Sequence, residues 1–139
     1  MYHLHIIIMC LLGLFGSKEL QYSDFEKWVD TSLSVDLPDG IQAFCFNLYE
    51  DGDSNWSAEI VGAGPFDKDD SDWACDEVFS NRKNPIRWKS RRPWEKQLSS
   101  FKSVVEIYLK QGKYATLFRE KKGLGLGFVD GDLTLIPIK

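Results

Sequence analysis

Residues 41–62 read Ile41-Gln42-Ala43-Phe44-Cys45-Phe46-Asn47-Leu48-Tyr49-Glu50, then Asp51-Gly52-Asp53-Ser54-Asn55, then Trp56-Ser57-Ala58-Glu59-Ile60-Val61-Gly62. In the first run Phe44, Phe46 and Leu48 share one face, and Ala43, Cys45, Asn47 and Tyr49 share the other. That is the two-residue period of a strand. The five residues that follow are turn formers, and the third run is a second strand, so the pattern predicts an antiparallel hairpin over 41–62. The other elements are read outward from it.

Upstream, Ser23 and Glu26 have the spacing of a capping box, and Phe25, Trp28, Val29 and Leu33 recur at helical intervals, predicting a helix from about Asp24 to Leu33. Downstream, Pro93 stands at a helix start, Glu95 in its first turn, Lys110 near its end and Gly112 beyond it. Trp94, Leu98, Phe101, Val105, Tyr108 and Leu109 form its apolar stripe, with the aromatic rings expected to anchor on a sheet. Leu124–Val129, Asp130-Gly131-Asp132 and Leu133–Ile138 make a second hairpin around an Asp-Gly turn. Trp73 to Phe79 fits a strand, an irregular edge or one helical turn, and Tyr114 to Arg119 fits a short helix or a strand. The order predicts an α+β fold: an antiparallel sheet of about four to six strands with two main helices on one face.

With 139 residues, 43% apolar and 14% aromatic, the chain can bury roughly two thirds of its unfolded surface in one core. Residues 17–139 are expected to form that single domain. Residues 1–16 hold an apolar run from Ile6 to Phe15, too short to span a bilayer. No Lys or Arg precedes the run and no small-x-small site follows it before Lys18, which argues against a signal peptide. Met9 is a plausible true start. Cys10, Cys45 and Cys75 form no CxxC and encode neither a disulfide framework nor a zinc site, so a reducing cytoplasm is expected, with export as the alternative should 1–16 act as a signal. No membrane partner is expected.

Charge is strongly patterned. Asp51 to Glu77 holds nine acids and one lysine, while Arg82 to Lys96 holds seven bases and one acid, within a net charge of only −4. Both histidines, His3 and His5, lie in the N-terminal segment, which disfavours a histidine base, a Ser-His-Asp triad or a histidine metal site. Asp51-x-Asp53-x-Asn55 and Asp67-x-Asp69-x-Ser71 begin like calcium loops. Their sixth positions are Trp56 and Asp72 and their twelfth are Gly62 and Val78, so neither completes one. Gly123-x-Gly125-x-Gly127 lacks the rest of a dinucleotide or Walker signature, and reads instead as room on a sheet face for a helix or the Trp94 ring. No cofactor or metal is expected.

Two surfaces remain as candidates. Asp51, Asp53, Asp67, Asp69, Asp70, Asp72, Asp76 and Glu77, with Trp56 and Trp73 as exposed aromatic anchors, would bind a basic protein. Alternatively Arg82, Arg87, Arg91 and Arg92 with Trp88 and Trp94 interleave cations and aromatics as nucleic-acid modules do, although a pI near 5.2 opposes a polyanion. The bland counterpart has Trp88 and Trp94 as core anchors and the arginines paired internally with Asp67 to Glu77. An enzyme using a carboxylate such as Glu59 or Asp76 is a third class, with nothing in the sequence to pair them.

The acidic patch, the run Asp72-Trp73-Ala74-Cys75-Asp76-Glu77-Val78-Phe79 and the ending Gly127-Phe128-Val129-Asp130-Gly131-Asp132-Leu133 give residues 17–139 a resemblance. The chain is similar in architecture to the small immunity proteins of bacterial polymorphic and contact-dependent toxin systems. The resemblance implies a non-enzymatic cytoplasmic protein that neutralises a cognate toxin, often a nuclease, by occluding a basic cleft.

Overall fold

The alternating hairpin forms the centre of a six-stranded sheet in the computed structural model, which describes residues 18–139. Strand β1 (Ala43–Gly52) pairs antiparallel with β2 (Asn55–Ala63), from Ala43↔Ala63 to Gly52↔Asn55. The turn residues Asp53 and Ser54 both have positive φ, 54° and 64°, the left-handed pair that matches the twist of the flanking strands. Gly52, at φ 87°, takes up the register shift just before the turn.

On the outer side of β2, β3 (Glu77–Ser80) pairs with Val61–Ala63 and β4 (Ile86–Lys89) with Asn55–Ala58, so two short strands share one edge. On the other side of β1 lies β5 (Gly123–Phe128), followed by the two-residue edge strand β6 (Thr134–Leu135). The expected antiparallel sheet needs one correction: β1 and β5 run parallel, Ala43↔Gly123 to Leu48↔Phe128. A parallel neighbour requires a crossover, and the chain between β4 and β5 supplies it as helices α2 (Trp94–Gln111) and α3 (Ala115–Arg119). Tyr114 to Arg119 is thereby resolved as a helix. The segment around Trp73 becomes a 3-10 helix (Ser71–Cys75) leading into β3.

Helix α1 (Tyr22–Leu33) joins α2 and α3 on one face of the sheet. Its start differs from the capping-box expectation: Gln21 caps it without a side-chain bond. Glu26, which the box would use, instead accepts a hydrogen bond from the Tyr22 hydroxyl at 3.0 Å. The face is filled by rings meeting edge-on, Phe25 with Phe101 at 5.3 Å and Phe44 with Phe118 at 5.1 Å between centroids. Tyr108 reaches across to donate to Asp30 Oδ1 at 2.6 Å, tying α2 to α1. Gly112 follows the end of α2, and any Cβ there would strike the Tyr108 ring.

A second, smaller core lies on the face opposite α1, α2 and α3, where Trp73 of the 3-10 helix covers Ala43, Cys45, Val61 and Ala63. The space is made by glycine, as expected, but with different occupants. Gly123 faces Phe66 and Gly125 faces Trp73 and Leu133, while Trp94 sits elsewhere. Gly127 lies under the β5–β6 turn, where a methyl group would stand 2.5 Å from the Asp132 carbonyl oxygen. Backbone cannot yield as a side chain can. Gly127→Ala should therefore lower stability by about 1–3 kcal/mol, whereas Gly131→Ala, whose nearest neighbour is 3.7 Å away, should change it by less than about 1 kcal/mol. Urea unfolding of the two variants checks the contrast.

Candidate functional site

Beyond the Trp73 cluster the face opposite the three α-helices turns polar. Asn47 and Tyr49 alternate out of phase with Phe44, Phe46 and Leu48, and Asn47 lies opposite Glu59 in the β1–β2 register. Glu59 is 1% exposed, a buried carboxylate that needs partners. It has three. Arg82 Nε donates to Oε1 at 2.8 Å, Asn47 Nδ2 donates to Oε2 at 3.2 Å, and the Tyr49 hydroxyl donates to the same Oε2 in a short bond.

Arg82 comes from the turn between β3 and β4, and its Nη2 also donates to both oxygens of Glu77, at 2.9 and 2.7 Å. The Glu77 and Glu59 bonds raise the pKa of its guanidinium further, so it stays charged. Burial, then the bond to Glu59, pushes the Tyr49 hydroxyl up to about 12. Burial, then the Glu59 charge, likewise pushes the Cys45 thiol up to about 12, which leaves it protonated and unreactive.

Over this network opens a groove of about 670 Å³. Tyr49 and Glu59 contribute to its floor, Asp72 and Glu77 to one side, and Asp132 and Leu133 to the other. Four carboxylates and one guanidinium line it.

The acidic loop next to the groove is held rather than loose. Asp67 Oδ1 accepts from the Asp69 amide at 2.9 Å, and Asp70 Oδ1 accepts from the Asp72 amide at 3.0 Å, capping the 3-10 helix. Phe66 and Trp73 pack edge-on at 5.1 Å beneath it. Asp67, Asp69, Asp70, Asp72 and Asp76 are exposed, as are Asp51 and Asp53 at the hairpin tip. Among the described residues only Lys68, bridging Asp69 at 3.5 Å, and Arg82 neutralise any part of this stretch.

Two aromatic assignments are corrected. Trp56 and Trp73 are 5% and 4% exposed and cannot serve as open anchors. Trp56 lies under Phe128 and donates to the Ser90 carbonyl at 2.9 Å, and Trp73 closes the small core over Gly125.

The basic stretch is corrected as well. It contains strand β4, which places Ile86 and Trp88 inward and Arg87 outward. Trp88 is buried and donates to Gln97 Oε1 at 2.8 Å, so it offers no face for stacking. Trp94, expected in the core stripe, is 52% exposed and meets the Phe128 ring edge-to-face at 6.1 Å. Internal charge pairing is limited to Arg82: among the described residues, Arg87, Arg91 and Arg92 form no ion pair.

Sequence reasoning missed Asn47, Tyr49, Arg82 as partner of Glu59, and Asp132 as part of one site. The available signal was the polar phase of β1, opposite a glutamate in the facing strand. Comparison with family models, curated proteins and solved structures gives no match to this chain. No helix among the described residues is long and apolar enough to cross a membrane. The apolar segment 1–16 lies outside the described residues.

Two measurements test these carboxylate bonds. Arg82→Leu would strand the Glu59 carboxylate. Because the Arg82 side chain is 55% exposed and water can partly replace it, the loss should be about 1–2 kcal/mol rather than the full cost of breaking a buried pair. Denaturant unfolding reads it. Tyr22 is raised to about 12 and Tyr108 also upward, each chiefly by burial and then by a carboxylate bond, as Tyr49 is. These hydroxyls are protonated in the fold at pH values where the unfolded chain has released its protons. Stability should therefore hold below about pH 10 and fall as pH climbs toward 12. In a 295 nm titration these tyrosinates should appear together with unfolding.

Proposed function

We propose that this is a non-enzymatic protein-binding protein whose acidic face holds a basic partner, acting as an immunity protein that occludes a cognate toxin. The observation that carries this reading is the uncompensated charge: Asp51, Asp53, Asp67, Asp70, Asp72 and Asp76 have no ion-pair partner among the described residues. Carboxylates fixed in place and left unpaired steer a cationic surface toward them and set its orientation. A loop pre-ordered by its own turn bonds loses little entropy on binding.

The strongest competing carboxylate, Glu59, has both oxygens engaged by hydrogen-bond donors, which suits a structural role better than proton transfer. Cys45 and Cys75 are free thiols, in keeping with a reducing cytoplasm.

A second reading is supported by a separate observation. Among the described residues Arg87, Arg91 and Arg92 have no anionic partner, and with the half-exposed Trp94 they could contact a single strand of nucleic acid. Gel-shift titration with single-stranded and duplex probes tests it, because phosphate binding should appear at low salt and fall steeply as salt rises.

For the preferred reading, Asp67, Asp69, Asp70 and Asp72 should be changed together to Asn. Asn keeps the side-chain oxygens that Asp67 and Asp70 use in their turns, so only charge is removed. Association with the basic partner should weaken by about tenfold or more and lose most of its salt dependence. Unchanged affinity and salt dependence in calorimetric titration would exclude the acidic face as the contact.

A further inference from the structure

We infer that the groove above Glu59 is the seat that grips the partner, and that its occupant is an extended segment presenting an arginine side chain. The inference rests on the protein-binding reading and specifies where and how that binding is made. The floor is sheet face that no α-helix among the described residues covers, open between the 3-10 helix and the β5–β6 turn.

Arg82 displays the chemistry this place accepts. Its planar fork places Nε on Glu59 at 2.8 Å and Nη2 on both oxygens of Glu77 at 2.9 and 2.7 Å. With that guanidinium seated, Glu59 and Glu77 are satisfied.

Asp72 and Asp132 are not. They line the same groove from two different elements, both are exposed, and neither has a cation among the described residues. The groove therefore keeps a negative excess after its own arginine is counted, and a cationic side chain from outside complements it. A guanidinium can direct separate N–H groups at two carboxylates, whereas an ammonium is a compact, strongly hydrated point charge. The methylene stem of an arginine would lie along Leu133 and Ala74, apolar residues of the same lining.

The test uses the full chain, ¹⁵N-labelled, titrated at low ionic strength with acetyl-Gly-Arg-Gly-amide and with its Lys and Gln counterparts. Expected are saturable amide shifts confined to the groove, at Tyr49, Ala74, Gly131 and Asp132. The arginine peptide should bind about threefold or more tighter than the lysine peptide, and the glutamine peptide should not bind. The double variant Asp72→Asn/Asp132→Asn should weaken the arginine peptide by roughly tenfold while keeping the dispersed spectrum of the folded chain.

The triple variant Asp67→Asn/Asp69→Asn/Asp70→Asn separates the two ideas. It should weaken the arginine peptide far less than the double variant does, while slowing capture of the basic protein. Shifts spread evenly over Asp51, Asp53 and Asp67–Asp70, equal response to both cationic peptides, or indifference to the double variant would each overturn the seat. An acidic surface without a specific pocket would then be left. Normal peptide binding combined with a basic protein unaffected by the triple variant would instead remove the loop's role and leave the seat standing.

Discussion

The parallel pairing of β1 with β5 governs the architecture. A parallel neighbour can be reached only by carrying the chain across a face of the sheet, and α2 and α3 make that passage over the side where α1 already lies. The three α-helices of the described residues therefore crowd one face, and the rings of Phe25, Phe44, Phe46, Phe101, Tyr108 and Phe118 fill the layer between. Among the described residues the opposite face receives no α-helix and is closed by the segment between β2 and β3, which carries the 3-10 helix. That segment is long enough to cover only part of it. The Trp73 cluster is the covered part, and the Asn47, Tyr49, Glu59 and Arg82 network is how the remainder tolerates exposure of a sheet centre.

Buried indoles bind the layers together by their polar ends. Trp28 donates to the Asn84 carbonyl at 2.7 Å, Trp56 to that of Ser90, and Trp88 to the Gln97 side chain, whose own amide donates to the Arg92 carbonyl. Each bond fixes a point in residues 81–97, the part of the chain richest in positive charge. The arginines there stay outside because the aromatic residues between them are pulled in. A composition that suggests one mixed basic and aromatic surface is thus divided by depth, with Trp94 the exception.

The legible parts were those with a strong period or turn chemistry. The 41–62 hairpin follows from the alternation of Phe44, Phe46 and Leu48, and α2 from Pro93, its apolar stripe and Gly112. The direction of β5 was not legible, because Leu124, Leu126 and Phe128 alternate identically in parallel and antiparallel strands. Strand β4 was hidden by its charges: as an outer strand it needs only Ile86 and Trp88 inward. The acidic loop was evident from composition, but the groove was not. Glu59 and Arg82 are 23 residues apart and meet only because β3 and β4 share an edge of β2. Trp56 and Trp73 were misjudged for a related reason, since their burial depends on Phe128 and Gly125, which come from the far end of the chain.

The exposure of Trp94 makes the molecule optically selective. Of its five tryptophans, Trp28, Trp56, Trp73 and Trp88 are 7% exposed or less, so an aqueous quencher such as iodide reaches only the indole at the start of α2. That ring packs on Phe128, the last residue of β5, and Phe128 also borders the acidic groove. The one accessible indole therefore reports, without any added label, on how the start of α2 is seated against the end of β5.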